Sequence, residues 1–337
     1  MRGLGGVAHS ASAPVGVDLE VLSLAMRQRS RQVYVRALLR DKLSLASAVF
    51  LIILFLSAIF ANIIAPHDPE AGSLMLRNKP PMTEASDGGF PYVLGTDALG
   101  HDQLSRLLYG ARVSLMVGFA SVLISGTIGV LLGLISGYYR GITDDIIMRF
   151  VDLQMGFPSL LVALLVLYVL GAGVWRVVLV LAVTRWMVYA RVTRSLVLSY
   201  REYVFVEAAR ATGCSDKRIL FLHILPNLLS PILVLGTLEV GTMILTEASL
   251  SFLGLGIRPP QSSWGLMLAQ GRGYITSAWW LVTFPGLVIM LTALTLNLLS
   301  TWVRAVTDPV TRWRFLAPKR VASKIAESSV PAPAVGA

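Results

Sequence analysis

The chain reads as an all-α membrane protein, a bundle of six transmembrane helices with both termini in the cytoplasm, and three observations predict this. Of its 337 residues 55% are hydrophobic and only 14% charged, with a mean hydropathy of +0.69, too apolar for a water-soluble domain. Uninterrupted apolar runs recur, each long enough at about 1.5 Å per residue to cross a hydrocarbon core of about 30 Å. The basic residues behind the net charge of +10 crowd into the tails and the short connections beside those runs, the pattern that orients a chain in a membrane. With little aromatic interleaving around them, their expected partner is lipid phosphate and not nucleic acid.

Taken in order, residues 1–42 form a cytoplasmic tail that lacks the regions of a signal peptide and gathers Arg27, Arg29, Arg31, Arg36, Arg40 and Lys42 ahead of the first apolar run. Residues 43–65 make the first span, stopped by Pro66. Residues 66–110 are rich in Pro and Gly and biased to acid through Asp68, Glu70, Glu84, Asp87, Asp97 and Asp102, which suits the outer side. Residues 111–139 make the second span, in which Gly129, Gly133 and Gly137 form small-xxx-small pairs that let helices approach closely in lipid. Residues 146–170 make the third, kinked at Pro158.

Residues 175–198 make the fourth span and end among Arg191 and Arg194, and residues 228–246 make the fifth. From Glu247 to Trp280 the chain has few charges and many turn formers, a long outer segment with a re-entrant part. Residues 281–303 make the last span, flanked by Trp279, Trp280, Trp302 and Arg304, and the tail 305–337 carries Arg312, Arg314, Lys319, Arg320 and Lys324 back to the cytoplasm. No soluble domain is expected on either side.

Two spans carry a charge near mid-membrane, Arg185 in the fourth and Glu239 in the fifth; unpaired, each costs about 2.5–3.5 kcal/mol. They either pair across the bundle interior, or Arg185 snorkels while Glu239 is protonated or bonded to a hydroxyl. With Glu247 near the end of the fifth run, they are the candidates for lining a translocation path or bracing helices.

The longest charged island inside the apolar region runs from Glu207 to Asn227, within a cytoplasmic loop spanning 200–226. Glu207, Ala208, Ala209, Arg210 and Ala211 favour helix, Gly213 can supply a left-handed turn, and Asp216 to His223 restart a helix that Pro226 limits. The reading is two short helices at a sharp angle. Small side chains at Ala208 and Ala209 admit another surface, and Glu207, Arg210, Lys217 and Arg218 set its register. The plainer alternative is a polar connection, but helical neighbours are commonly joined by only about 2–8 residues.

Catalytic chemistry finds no support. A nucleotide-binding loop needs Gly-Lys followed by Ser or Thr, and none of Lys42, Lys79, Lys217, Lys319 or Lys324 follows a glycine. An intramembrane protease of the serine type needs a base, and no histidine lies within a span. Cys214 is the single cysteine, and His9, His67, His101 and His223 are scattered, so neither a disulfide nor a metal site is expected.

The order Glu207-Ala208-Ala209, then Gly213, then His223-Ile224-Leu225-Pro226-Asn227 resembles the EAA loop of ABC-importer permeases. Leu94 to Leu115, Asp145 to Pro158, Glu247 to Gly256 and Pro259 to Met267 are similar to one branch, the C-type subunit of the dipeptide, oligopeptide and nickel importers. His101 stands where arginine is usual, and Ser300, Thr301 and Ala305 replace the commoner Gly, Asp and Asp. The resemblance implies a type I, MetI-like permease fold with its core in residues 111–304, in a bacterial cytoplasmic membrane. It implies a second homologous permease, two ATPase subunits or domains that hold ATP and Mg, and an extracytoplasmic solute-binding protein, with no cofactor on this chain. It further implies that Glu207 to Ile219 seat an ATPase and pass its motion to the helices. Peptides are the first expectation for cargo, with nickel chelates, glutathione or another small solute open; a passive channel has no need of such a loop.

Overall fold

The computed structural model describes residues 38–39, 41–85 and 88–307, so the readings of both tails fall outside the described residues. Helix α1 (Lys42–Ile59) is capped by Asp41, whose carboxylate accepts from the Leu43 amide at 3.2 Å and the Ser44 hydroxyl at 2.6 Å. Phe60 breaks it, and one further turn, α2 (Ala61–Ile64), brings the chain to Pro66. The segment that follows has short pairings at Thr83 with Tyr92 and Thr96 with Asp102, and no longer strand among the described residues.

Helix α3 (Gln103–Tyr139) starts well before residue 111, because Asp102 caps it by accepting from the Ser105 amide at 2.8 Å and its hydroxyl at 2.6 Å. The cap outweighs the polar first turn, which hydropathy assigns to a loop. Helices α4 (Gly141–Met155) and α5 (Ser159–Leu170) replace the kinked third span and meet at 87°. Gly156 closes α4, Pro158 disfavours helical geometry at Phe157, and Pro158 itself opens α5.

Helix α6 (Val174–Tyr200) leads to α7 (Val204–Ala211), and the turn α8 (Asp216–Arg218) runs through a π-helical stretch, Ile219–Ile224, into α9 (Leu225–Phe252). Pro226 therefore sits in the first turn of α9 and ends nothing, contrary to expectation. The widened π turn just before it relieves the clash that a proline ring makes with the preceding turn. Helix α9 continues past residue 246, and α10 (Trp264–Gly271) folds back onto the bundle with Trp264 fully buried before α11 (Trp280–Thr307) closes it.

Among the described residues, four helical stretches are long and apolar enough to cross a membrane, α1, α3, Asp216–Phe252 and α11, and the bent α4–α5 pair makes a fifth if it is one span. Helix α6 falls outside this measure because Arg176, Arg185, Arg191 and Arg194 lie along it. It is nonetheless the element most extensively packed on α3. Gly129, Gly133 and Gly137 make that approach: a Cβ on them would stand 2.2 Å from the Trp186 carbonyl, 2.6 Å from the Ala190 carbonyl and 2.8 Å from Val197 Cβ. Helix α9 lies against α3 and α11, and α1 crosses α3 and α11 through Leu51, Leu54 and Ala58.

Candidate functional site

The segment between α6 and α9 is bent. Helix α7 ends at Thr212, Gly213 reverses the chain at φ +78°, and α8 returns. Its inner side is apolar: Val206, Ala209, Ile219 and Leu220 pack on Leu134 and Tyr138 of α3 and Val197 of α6. Glu207, Ala208, Arg210, Gly213, Lys217 and Arg218 remain exposed, with Val204 and Phe205 beside them. Ala209 and Ile219 thus face the chain's own bundle, which corrects the reading of Ala209 as surface for a partner. On α7, the period of a helix lets only one of the two adjacent alanines point outward.

Tyr138, which sequence reasoning missed, ties this segment to α3. Its hydroxyl donates to Asp216 at 2.6 Å, the Arg210 guanidinium lies 5.3 Å from its ring, and Arg201 donates to its carbonyl at 2.7 Å. A lone tyrosine at the end of an apolar run reads as an interfacial residue, so no local signal pointed to it.

Within the bundle, Arg185 of α6 and Glu239 of α9 meet as a two-pronged pair, with Nε and Nη2 each donating at 2.9 Å. Nearer the C-terminal end of α6, Arg194 makes the same fork onto Asp144 of α4 at 2.6 and 2.5 Å, and Ser136 of α3 donates to Asp144 at 2.5 Å. Glu247 is fully buried and has no cation beside it among the described residues. It accepts from Ser251 at 2.7 Å, Ser263 at 2.9 Å and Ser114 at 3.4 Å, while those three hydroxyls accept from the amides of Ile257, Leu266 and Trp264.

Two family models match. Residues 129–313 match the binding-protein-dependent transport system inner membrane component, and residues 31–81 match the N-terminal TM domain of oligopeptide transport permease C. The Di/tripeptide transport system permease protein DppC of Pseudomonas aeruginosa is 40% identical over 270 residues, covering 80% of this chain and 88% of that protein. The Dipeptide transport system permease protein DppC of Haemophilus influenzae is 39% identical over 267 residues (79% and 90%), and the Glutathione transport system permease protein GsiD of Pectobacterium atrosepticum 39% over 275 (81% and 89%). A solved structure of the MetNI methionine ABC transporter in inward-facing conformations aligns with 18% identity and a TM-score of 0.46, over 60% of this chain and 97% of that one.

The chain belongs to the family of binding-protein-dependent inner-membrane transport permeases. It is a DppC/OppC-like subunit of an ABC importer, a multi-pass inner-membrane protein that serves transport and is not itself an enzyme. Membership implies assembly with an ATPase, a binding protein and a second permease.

The permease joins the long segment between α2 and α3 to α3 and α10 through Asp97. This carboxylate accepts from the amides of Leu99 at 2.8 Å and His101 at 2.9 Å, lies 2.8 Å from the His101 ring Nδ1, and pairs with Arg106, which reaches Gln270 of α10 at 2.8 Å. Burial pushes the Asp97 carboxyl up, but the Arg106 charge and the His101 hydrogen bonds outweigh it and hold the group below its ordinary range.

Proposed function

We propose that the permease carries di- and oligopeptides, delivered by an extracytoplasmic solute-binding protein, along a path between itself and a second homologous permease. It crosses the membrane six times with both termini in the cytoplasm, and two ATPase subunits or domains that bind ATP and Mg dock on the loop 200–226. Glu207, Ala208, Arg210, Gly213, Lys217 and Arg218 meet the ATPase, while Ala209 and Ile219 fix the loop to the bundle.

The observation that carries this reading is the two-sided form of that loop, apolar and buried toward α3 and α6, charged and open on the other side. A lever needs both: a firm seat on the helices it moves and a free face for the motor. ATP can drive the change only if the closed ATPase pair contacts this face better in one membrane state than in the other, with the helices rocking about the path as rigid bodies. Arg185 and Glu239 stand as path residues that also brace α6 on α9. The enclosed position of Glu247 suits bracing alone.

The relatives named for dipeptides and di/tripeptides support peptides as cargo, and the glutathione relative supports a modified tripeptide as the second reading. Cells with and without this chain, given labelled di- and oligopeptides, glutathione and nickel, decide between them. Peptide uptake that vanishes with the chain is the expected result; loss of nickel or glutathione uptake alone would move the cargo to that class. The importer should also copurify with ATPase subunits.

A further inference from the structure

The Arg185–Glu239 pair lies near the midpoints of α6 and α9, and it is one-sided. Nε and Nη2 of Arg185 hold Glu239, whereas Nη1 has no hydrogen-bond partner among the described residues, and 22% of the arginine side chain is exposed on the bundle surface. Hydrocarbon offers no acceptor for guanidinium N–H groups. The face that carries Arg185 is therefore one that lipid tails do not cover. A second polar group waits one turn along α6. The Tyr189 hydroxyl is buried without a partner, in a side chain only 1% exposed, and it lies 3.9 Å from where a Cβ on Gly236 of α9 would stand, one turn from Glu239.

The outward edge of the guanidinium offers two parallel N–H donors, the geometry that matches a carboxylate. Glu239 balances the arginine when the site is empty, so the site stands ready without an isolated charge in the membrane. When the guanidinium turns partly toward a ligand, Glu239 loses one donor, while the unpartnered Tyr189 hydroxyl stands one turn away on both helices.

The geometry points to Arg185, Glu239 and Tyr189 as an intramembrane subsite for the free carboxylate of a small solute. This rests on the transport reading above and deepens it by naming a chemical group that the path itself recognises. The alternative, a brace with no ligand, leaves the outward N–H groups and the tyrosine hydroxyl unexplained.

The test is equilibrium binding of labelled alanyl-alanine and of its C-terminal amide to the full complex in nanodiscs, without the binding protein, so that only the membrane site selects. The wild-type complex is expected to bind the acid about tenfold more tightly than the amide, about 1.4 kcal/mol. The double variant Arg185→Met/Glu239→Leu, which removes both charges and strands neither, is expected to lose that preference. Arg185→Lys, which keeps the charge and loses the fork, serves if the double variant does not assemble, and it too should lose most of the preference. Equal binding of acid and amide by the wild type, no binding of either, or an undiminished preference in the variants would overturn the subsite. A wild-type complex that imports no peptide even with ATP and the binding protein would instead overturn the transport reading.

Discussion

Gly129 and Gly126 share α3 but meet different neighbours. An alanine methyl at 129 would stand 2.2 Å from the Trp186 carbonyl, whereas at 126 it would reach only the Tyr189 ring at an ordinary 3.5 Å. Gly129→Ala should force α3 off α6 and cost about 1–3 kcal/mol, with Gly126→Ala within about 0.5 kcal/mol of wild type. Thermal unfolding in detergent compares them. Glu247 gives a second contrast. Leucine there leaves three buried hydroxyls without their acceptor and should cost about 2–3 kcal/mol, while glutamine keeps an acceptor oxygen and should cost less. The glycine spacing was legible in the sequence because period alone puts Gly129, Gly133 and Gly137 on one side. The serines around Glu247 were not, since Ser114 and Ser263 are brought to it only by the folding of α3 and α10.

Asp97 adds a pH dependence whose sign follows from its lowered carboxyl. Such a group contributes its stability in full above its ordinary value of 3.8, and the contribution is lost as pH falls through the lower folded value. The unfolding temperature of the wild type should therefore exceed that of Asp97→Asn near neutral pH, with the two curves converging below about pH 3.8 as Asp97 protonates. A constant gap down to the lowest pH would contradict the Arg106 and His101 pairing as its source.

The bent element between α6 and α9 makes separable predictions for adjacent alanines. Ala208 is exposed, so Ala208→Trp should leave folding and membrane insertion intact while raising the ATP hydrolysed per solute imported. Ala209 is packed against α3 and α6, so Ala209→Trp should also lower the unfolding temperature, because the segment itself must shift. Nothing stands within 4 Å of a Cβ at Gly213, so Gly213→Val strains only the backbone, at about 1–2 kcal/mol. Coupled ATPase and uptake assays in proteoliposomes, beside melting curves, separate the three. Helix formers and a left-handed glycine made this bend readable in advance. The π turn that absorbs Pro226, the near right angle between α4 and α5, and the Tyr138 to Asp216 bond were not, because each is set by elements far apart in sequence.

Across the whole molecule, charge and apolarity act together. Arg185 and Arg194 of α6 are carried into the bundle by acids on other helices, Glu239 of α9 and Asp144 of α4, so a helix that bears four arginines along its apolar run still sits at the centre of the packing. Hydropathy showed where such charges fall but not how they are neutralised, which depends on which helices become neighbours. The bent segment between α6 and α9 lies at one end of the bundle, where α7 and α8 expose a charged face.

The position and contact of that face can be measured with the single native cysteine as the starting point. In a Cys214→Ser background carrying Ala208→Cys, an impermeant maleimide should label the permease in inverted vesicles and not in intact cells, and a short cross-linker should join residue 208 to the ATPase subunit. Labelling from outside, or an assembled and active complex in which residue 208 joins no ATPase, would contradict the account.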